Sequence, residues 1–222
     1  QRVLGDTGFF ARNILGMDTD RDENGNAISE VGKGGIRSYG PHAEMVKWFD
    51  DDSTHSALWA PRYSYKSSCV QAYLLRKILA HPNISILLYM HDLSMATERS
   101  AKLRNMLLEN EAILELKRAL GYADGKGPTW KKDEWVVPWR DDKTANSPTL
   151  TVASPKKPRT GGRYNIILFD DIVSETSYLS ELGRKTAIHA VETSLTLGAR
   201  GTQWKLVGTP YHPGDANHWV LD

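Results

Sequence analysis

The chain has a single cysteine, almost no net charge and no long apolar run. Each shortage excludes something. Cys69 alone cannot form an internal disulfide or a zinc site built from several cysteines, and it points to a reducing compartment. A membrane-spanning helix needs about 20 consecutive apolar residues, and no stretch approaches that length. No signal-peptide pattern stands at the start. A formal net charge of +1 gives no global attraction to nucleic acid, so any DNA contact must come from a local basic patch. His189, His212 and His218 are too scattered for a metal-ligand pattern. The chain begins at Gln1 rather than Met, which leads us to expect a fragment of something longer.

What is present is an ordinary globular composition: 222 residues, 40% hydrophobic and 25% charged, enough for one sizeable core. Residues 1–41 read as an N-terminal extension, partly flexible, with apolar pieces at Phe9–Leu15 and Ile36 on either side of the polar stretch Asp18–Gly35. Asp20, Asp22, Asn24 and Gly25 imitate the opening of a calcium loop. The twelfth position is Val31, however, with Glu30 one short, so calcium binding is not expected.

Strand and helix signals alternate from there. A helix over Ala43–Asp50 precedes a short strand, Ser56–Trp59. Val70, Leu74, Leu75 and Ile78 have the spacing of an amphipathic helix over Ser67–Leu79. Ile84–Met90 reads as a buried strand, Met95–Leu108 as a helix capped by Ser94, and Glu111–Leu120 as a helix ended by Gly121. Trp135–Trp139 suggests an edge strand and Thr149–Ala153 another strand. Asn165–Phe169 is the most strand-like run, followed by a helix over Ser177–Leu197 and a last strand over Gln203–Val207. Such alternation predicts βαβ units and a mainly parallel sheet covered on both faces.

Three segments carry chemistry. Ala60-Pro61-Arg62-Tyr63-Ser64-Tyr65-Lys66-Ser67 lies between a strand and a helix, and Lys66-Ser67 fill the last two positions of a phosphate-binding loop. Both expected glycines are missing; Ala60 and Tyr65 replace them. Backbone N–H groups at such a helix start, through Ser68, can cradle phosphate, with Lys66 on the β- and γ-phosphates and Ser67 on Mg²⁺. Ile166-Ile167-Leu168-Phe169 then runs straight into Asp170-Asp171, the form of a strand whose terminal Asp serves the Mg²⁺ shell. Asp171 or Glu175 could orient the attacking water. Leu206-Val207-Gly208-Thr209-Pro210 ends a strand in a small polar residue, Thr209, suited to sensing the γ-phosphate.

Taken together and in this order, these segments resemble the ATPase domain of tailed-bacteriophage terminase large subunits. Further matching pieces are Ser147-Pro148-Thr149-Leu150, Gly161-Gly162-Arg163-Tyr164-Asn165, and His212 with Asp215. The resemblance covers residues 42–222, the expected ATPase domain. It implies an α/β fold of the P-loop NTPase (ASCE/RecA-like) type, a three-layer sandwich with a mainly parallel central sheet. It implies ATP and Mg²⁺ as ligands, Arg62 reaching the phosphates in cis, Arg163 as an arginine finger for a neighbouring subunit, and Thr209 as the coupling residue. The adenine-contacting segment would fall around His42–Trp48. Implied partners are double-stranded DNA, a portal protein, a small terminase subunit and further copies of the chain in a ring on the procapsid, with a monomer in isolation. The implied location is the host cell cytoplasm during virus assembly. The family's nuclease domain has no counterpart here, so cleavage is not expected.

Lys156, Lys157 and Arg159 form a basic loop that could touch DNA phosphates, and Trp130, Trp135 and Trp139 could stack on bases or fill a core. Rival readings are a helicase-like translocase, a nucleotide-binding scaffold with little turnover, and a metal-dependent nuclease built on Asp170 and Asp171.

Overall fold

Short apolar runs build the strands of this chain, and runs with apolar residues three and four apart build its helices. The computed structural model describes residues 2–15, 17, 41–142 and 144–220. Its elements are α1 (Arg2–Gly5), α2 (Thr7–Asn13), α3 (Pro41–Asp50), β1 (His55–Trp59), α4 (Lys66–Ala80), β2 (Ile86–Tyr89), α5 (Leu93–Glu109) and α6 (Glu111–Ala119). They continue with β3 (Glu134–Trp135), β4 (Leu150–Ala153), β5 (Tyr164–Asp170), a 3₁₀ turn (Ser177–Leu179), α7 (Glu181–Leu195), β6 (Gly198–Gly208) and α8 (Ala216–Trp219).

The six strands form one sheet in the order β1-β6-β5-β2-β4-β3. All neighbours are parallel except β3, which pairs antiparallel with β4 at the edge. Alternation along the strands splits the core in two. Ile86, Leu88, Ile166, Leu168 and Val207 face a layer containing α2 to α6. Leu87, Tyr89, Ile167, Phe169 and Leu206 face α7. The expected mainly parallel α/β sheet, covered on both faces, is what forms.

Four local expectations change. The cap of α5 is Asp92, not Ser94: the Asp92 carboxylate accepts the Ser94 backbone N–H at 2.8 Å, and the helix begins at Leu93. The Trp135–Trp139 strand shrinks to Glu134–Trp135, because the Val137 N–H turns to the Thr149 hydroxyl and Pro138 has no donor to extend the ladder. The long helix after the Asp-Asp pair breaks at Ser180, whose extended backbone lets its hydroxyl accept from Gly183 N and start α7. β6 starts five residues earlier than the Gln203 expected, since its polar Gly198–Thr202 half still pairs after a register shift near Tyr164.

The N-terminal apolar piece is docked. Phe10 and Ala11 are fully buried. Arg76 of α4 holds this end in place: its guanidinium donates to Thr7 Oγ1 at 2.8 Å, Leu4 O at 2.7 Å and Asp50 Oδ1 at 2.6 Å. The calcium-loop residues 20–31 and Ile36 lie outside the described residues.

Candidate functional site

Parallel strands deliver their ends to one edge, where ligands of such sheets bind. Trp59, Gly208 and Asp170 end β1, β6 and β5 there. β6 lies between the two strands that carry the phosphate-loop and Asp-Asp segments, so Thr209 is placed between those segments. Ala60 N donates to Gly208 O at 3.1 Å, and Thr209 Oγ1 donates to Ala60 O at 3.0 Å. The buried Lys66 ammonium donates to Thr209 Oγ1 at 2.9 Å and pairs with Asp171 Oδ1 at 3.2 Å. One cation thus joins all three segments singled out in the sequence.

The loop closes without glycine by forcing side-chain-bearing residues into the left-handed region. Tyr63 has φ 64° and Tyr65 φ 58°. Each such residue costs about 1–2 kcal/mol relative to glycine. Tyr65 is the N-cap of α4 but supplies no side-chain cap; the Ser68 N–H turns back to the Tyr65 carbonyl at 3.0 Å. Its ring meets His42 edge-on at 5.3 Å, and His42 is the part of the His42–Trp48 segment that reaches the loop. Trp48 instead lies under the Lys205 ammonium, 4.7 Å from its ring centre. A cleft of about 900 Å³ opens over the loop and is bounded by Arg62, Ser64–Ser68, His91, Asp171, Glu175 and Tyr211.

Asp170 lies beneath this cleft with no solvent exposure. Neither carboxylate oxygen has a hydrogen-bond partner. Its nearest counter-charge is Arg99 Nη2, 3.4 Å from Oδ2. Burial pushes the Asp170 pKa up to about 6, against the pull of Arg99. Asp171 follows in a left-handed conformation, φ 48°, and its carbonyl accepts from His91 N at 3.2 Å and lies 3.2 Å from His91 Nδ1. Among the described residues no group of three His, Cys, Asp or Glu could hold a metal ion alone. A carboxylate with no hydrogen bond and the hydroxyl of first-turn Ser67, on two residues that Arg99 reaches, are donors of the kind Mg²⁺ takes, one or two from protein with phosphate and water completing the shell. Reaching Asp170 requires a neighbouring side chain to shift, because the carboxylate is sealed.

Arg62 and Glu175 meet on the opposite wall. Arg62 Nη1 pairs with Glu175 Oε1 at 2.9 Å, and Arg62 Nη2 donates to the Tyr211 hydroxyl at 3.0 Å. Tyr211 stacks on Tyr178 at 5.3 Å. Asp215, fully buried, fixes the segment after Thr209 by accepting from Tyr211 N, His212 N, Asn217 N and His218 N.

Arg163 is not brought to this site. It precedes β5, whose seven residues set it roughly 20 Å from Asp170, at the amino edge of the sheet. Its guanidinium donates to Gly162 O and Thr196 O, and its backbone N–H donates to Ser147 Oγ at 2.7 Å. Its guanidinium therefore makes no ion pair with Asp170 or Glu175. Lys156 and Lys157 are exposed, whereas Arg159 is half-buried beside Glu134, 3.6 Å away. Trp135 and Trp139 are core, and Trp130 packs on Trp135 at 5.6 Å, which removes them as base-stacking platforms.

Sequence reasoning missed Arg99, His91 and Tyr211. His91 was findable, since it follows the β2 apolar run at the carboxyl edge of the sheet. Arg99 carries no such signal; on a helix it reads as one more solvated cation. No protein-family model and no curated protein matches the chain.

Proposed function

We propose that the chain is a P-loop-type ATPase domain. The observation that carries this reading is the placement of Lys66 between Thr209 and Asp171 at the cleft, next to the buried Asp170 carboxylate, which has no hydrogen bond. A lysine held ready at an uncapped helix start suits the β- and γ-phosphates of a nucleotide. Arg62, exposed on the facing wall, is free to swing from Glu175 to the phosphates. Ser67 and Asp170 would hold Mg²⁺. Bound there, the ion would supply positive charge against the charge that develops on the phosphate.

The chain's own groups then divide the work. Asp171 and Glu175 are each tied to a cation, Lys66 and Arg62 respectively. Phosphate drawing on either cation releases the matching carboxylate to orient water. Thr209, bonded both to Lys66 and to the Ala60 carbonyl, feels a displacement of Lys66 directly and passes it to the segment ordered by Asp215. On the resemblance of the motifs we extend the proposal to a terminase motor that moves double-stranded DNA, with portal protein and small terminase subunit as partners. Lys66→Ala should abolish phosphate release from Mg²⁺-ATP. Near-normal turnover in that variant would sink the assignment.

A further inference from the structure

Arg99 reaches both residues assigned to the divalent cation, Ser67 through its backbone carbonyl and Asp170 through its carboxylate. Its Nη1 donates to the Ser67 carbonyl at 2.6 Å, and its Nη2 lies 3.4 Å from Asp170 Oδ2. The guanidinium is largely buried, with 14% of its side chain exposed. Its two contacts differ in kind. The bond to Ser67 is short and charge-assisted, while the contact to Asp170 is loose and reaches one oxygen only. Oδ1 and Oδ2 both remain without a hydrogen-bond partner. An arginine meant to neutralise Asp170 permanently would close on the carboxylate in a two-point fork. This one is anchored on α4 and leans on the carboxylate from the side.

We propose that Arg99 is a positioning residue for the divalent-cation site, holding the first turn of α4 and the end of β5 in register so that Ser67 and Asp170 converge on one ion. The proposal rests on the nucleotide-binding reading above. Arginine suits the role because its fork spans two acceptors at a fixed separation; lysine, a single point charge, cannot hold both. The positive charge of Arg99 sets up a rival outcome: if it merely occupied the cation's place, removing it would favour the ion.

The test measures binding of a slowly hydrolysed ATP analogue by calorimetry, in chelator and across a Mg²⁺ titration. The proteins are wild type, Arg99→Gln and Arg99→Lys. Both variants should bind the metal-free nucleotide within about twofold of wild type yet need roughly 10–100 times more Mg²⁺, the usual cost of losing a partner behind a metal ligand. Unchanged or tighter Mg²⁺ dependence in Arg99→Gln overturns the proposal. Full rescue by Arg99→Lys also overturns it, since charge alone would then suffice. Equal loss with and without Mg²⁺ means general damage and overturns it as well. A wild-type protein that binds no nucleotide overturns this proposal together with the ATPase reading, whereas each of the other results leaves that reading standing.

Discussion

Asp170 concentrates the energetics of the site in one side chain. An acid with its pKa raised to about 6 holds its proton in the folded chain where the unfolded chain, near the ordinary 3.8, has already released it. Folding therefore takes up protons between those values, and stability falls as pH rises through that window. Above pH 6 the full cost of a buried anion remains, about 3 kcal/mol at 1.36 kcal/mol per pKa unit. Asp170→Asn, in chelator, is expected to be more stable than wild type at pH 8 by up to that amount, which is already net of the attraction to Arg99. The gap should close at pH 4. Urea denaturation at the two pH values measures it, and a variant weaker than wild type at pH 8 would show that Arg99 outweighs burial. Tyr65 is a second local cost: its left-handed backbone does what the missing glycine would do freely. Backbone strain and a buried carboxylate without hydrogen bonds lie together around one cleft.

At the scale of elements, α4 is the hinge of the arrangement. Its first turn carries Lys66 and Ser67, and its third turn carries Arg76, which binds α1, α2 and α3 together through Leu4, Thr7 and Asp50. Thr7 also donates to Asp50 through both its N–H, at 2.9 Å, and its hydroxyl, at 2.6 Å. Removing the arginine takes the counter-charge from Asp50 and leaves the Leu4 carbonyl and the Thr7 hydroxyl oxygen without that donor in a mostly buried place. Arg76→Leu is expected to destabilise the protein by about 3–5 kcal/mol, the usual cost of breaking a buried ion pair on one side. Urea denaturation reads the loss, and hydrogen exchange at Phe10 and Ala11 should accelerate with it. Periodicity revealed α4 well, because its apolar stripe is regular. It did not reveal that the polar interruption at Arg76 is buried, since a cation on a helix face gives no sign of which element will cover it.

At the scale of the whole molecule, the sheet sorts the expected arginines to opposite edges: Arg62 at the cleft and Arg163 at the far end of β5. Arg163 can serve catalysis only across a subunit boundary. Arg163→Ala should leave nucleotide affinity of the isolated chain unchanged within about twofold, while wild-type turnover per subunit should rise with protein concentration if a neighbour supplies the finger. Mixing Arg163→Ala with Lys66→Ala subunits should then restore activity that neither shows alone. Specific activity independent of concentration, with no recovery on mixing, would remove Arg163 from the mechanism.

The amino-acid sequence by itself determined the elements and their polarity: continuous apolar runs became the buried strands β2 and β5, and Asp170 had to stand at the end of the latter. It also determined that Lys66, Asp171 and Thr209 would follow strands at one edge, because parallel strands all point the same way. Only the tertiary structure decided that β6 slides between β1 and β5, that one lysine joins Thr209 and Asp171, and that Arg99 crosses from α5 to Asp170. Local pattern fixes where a residue sits along its own element. Which charges meet depends on strand order and helix packing, contacts between residues far apart in the chain that no periodicity encodes.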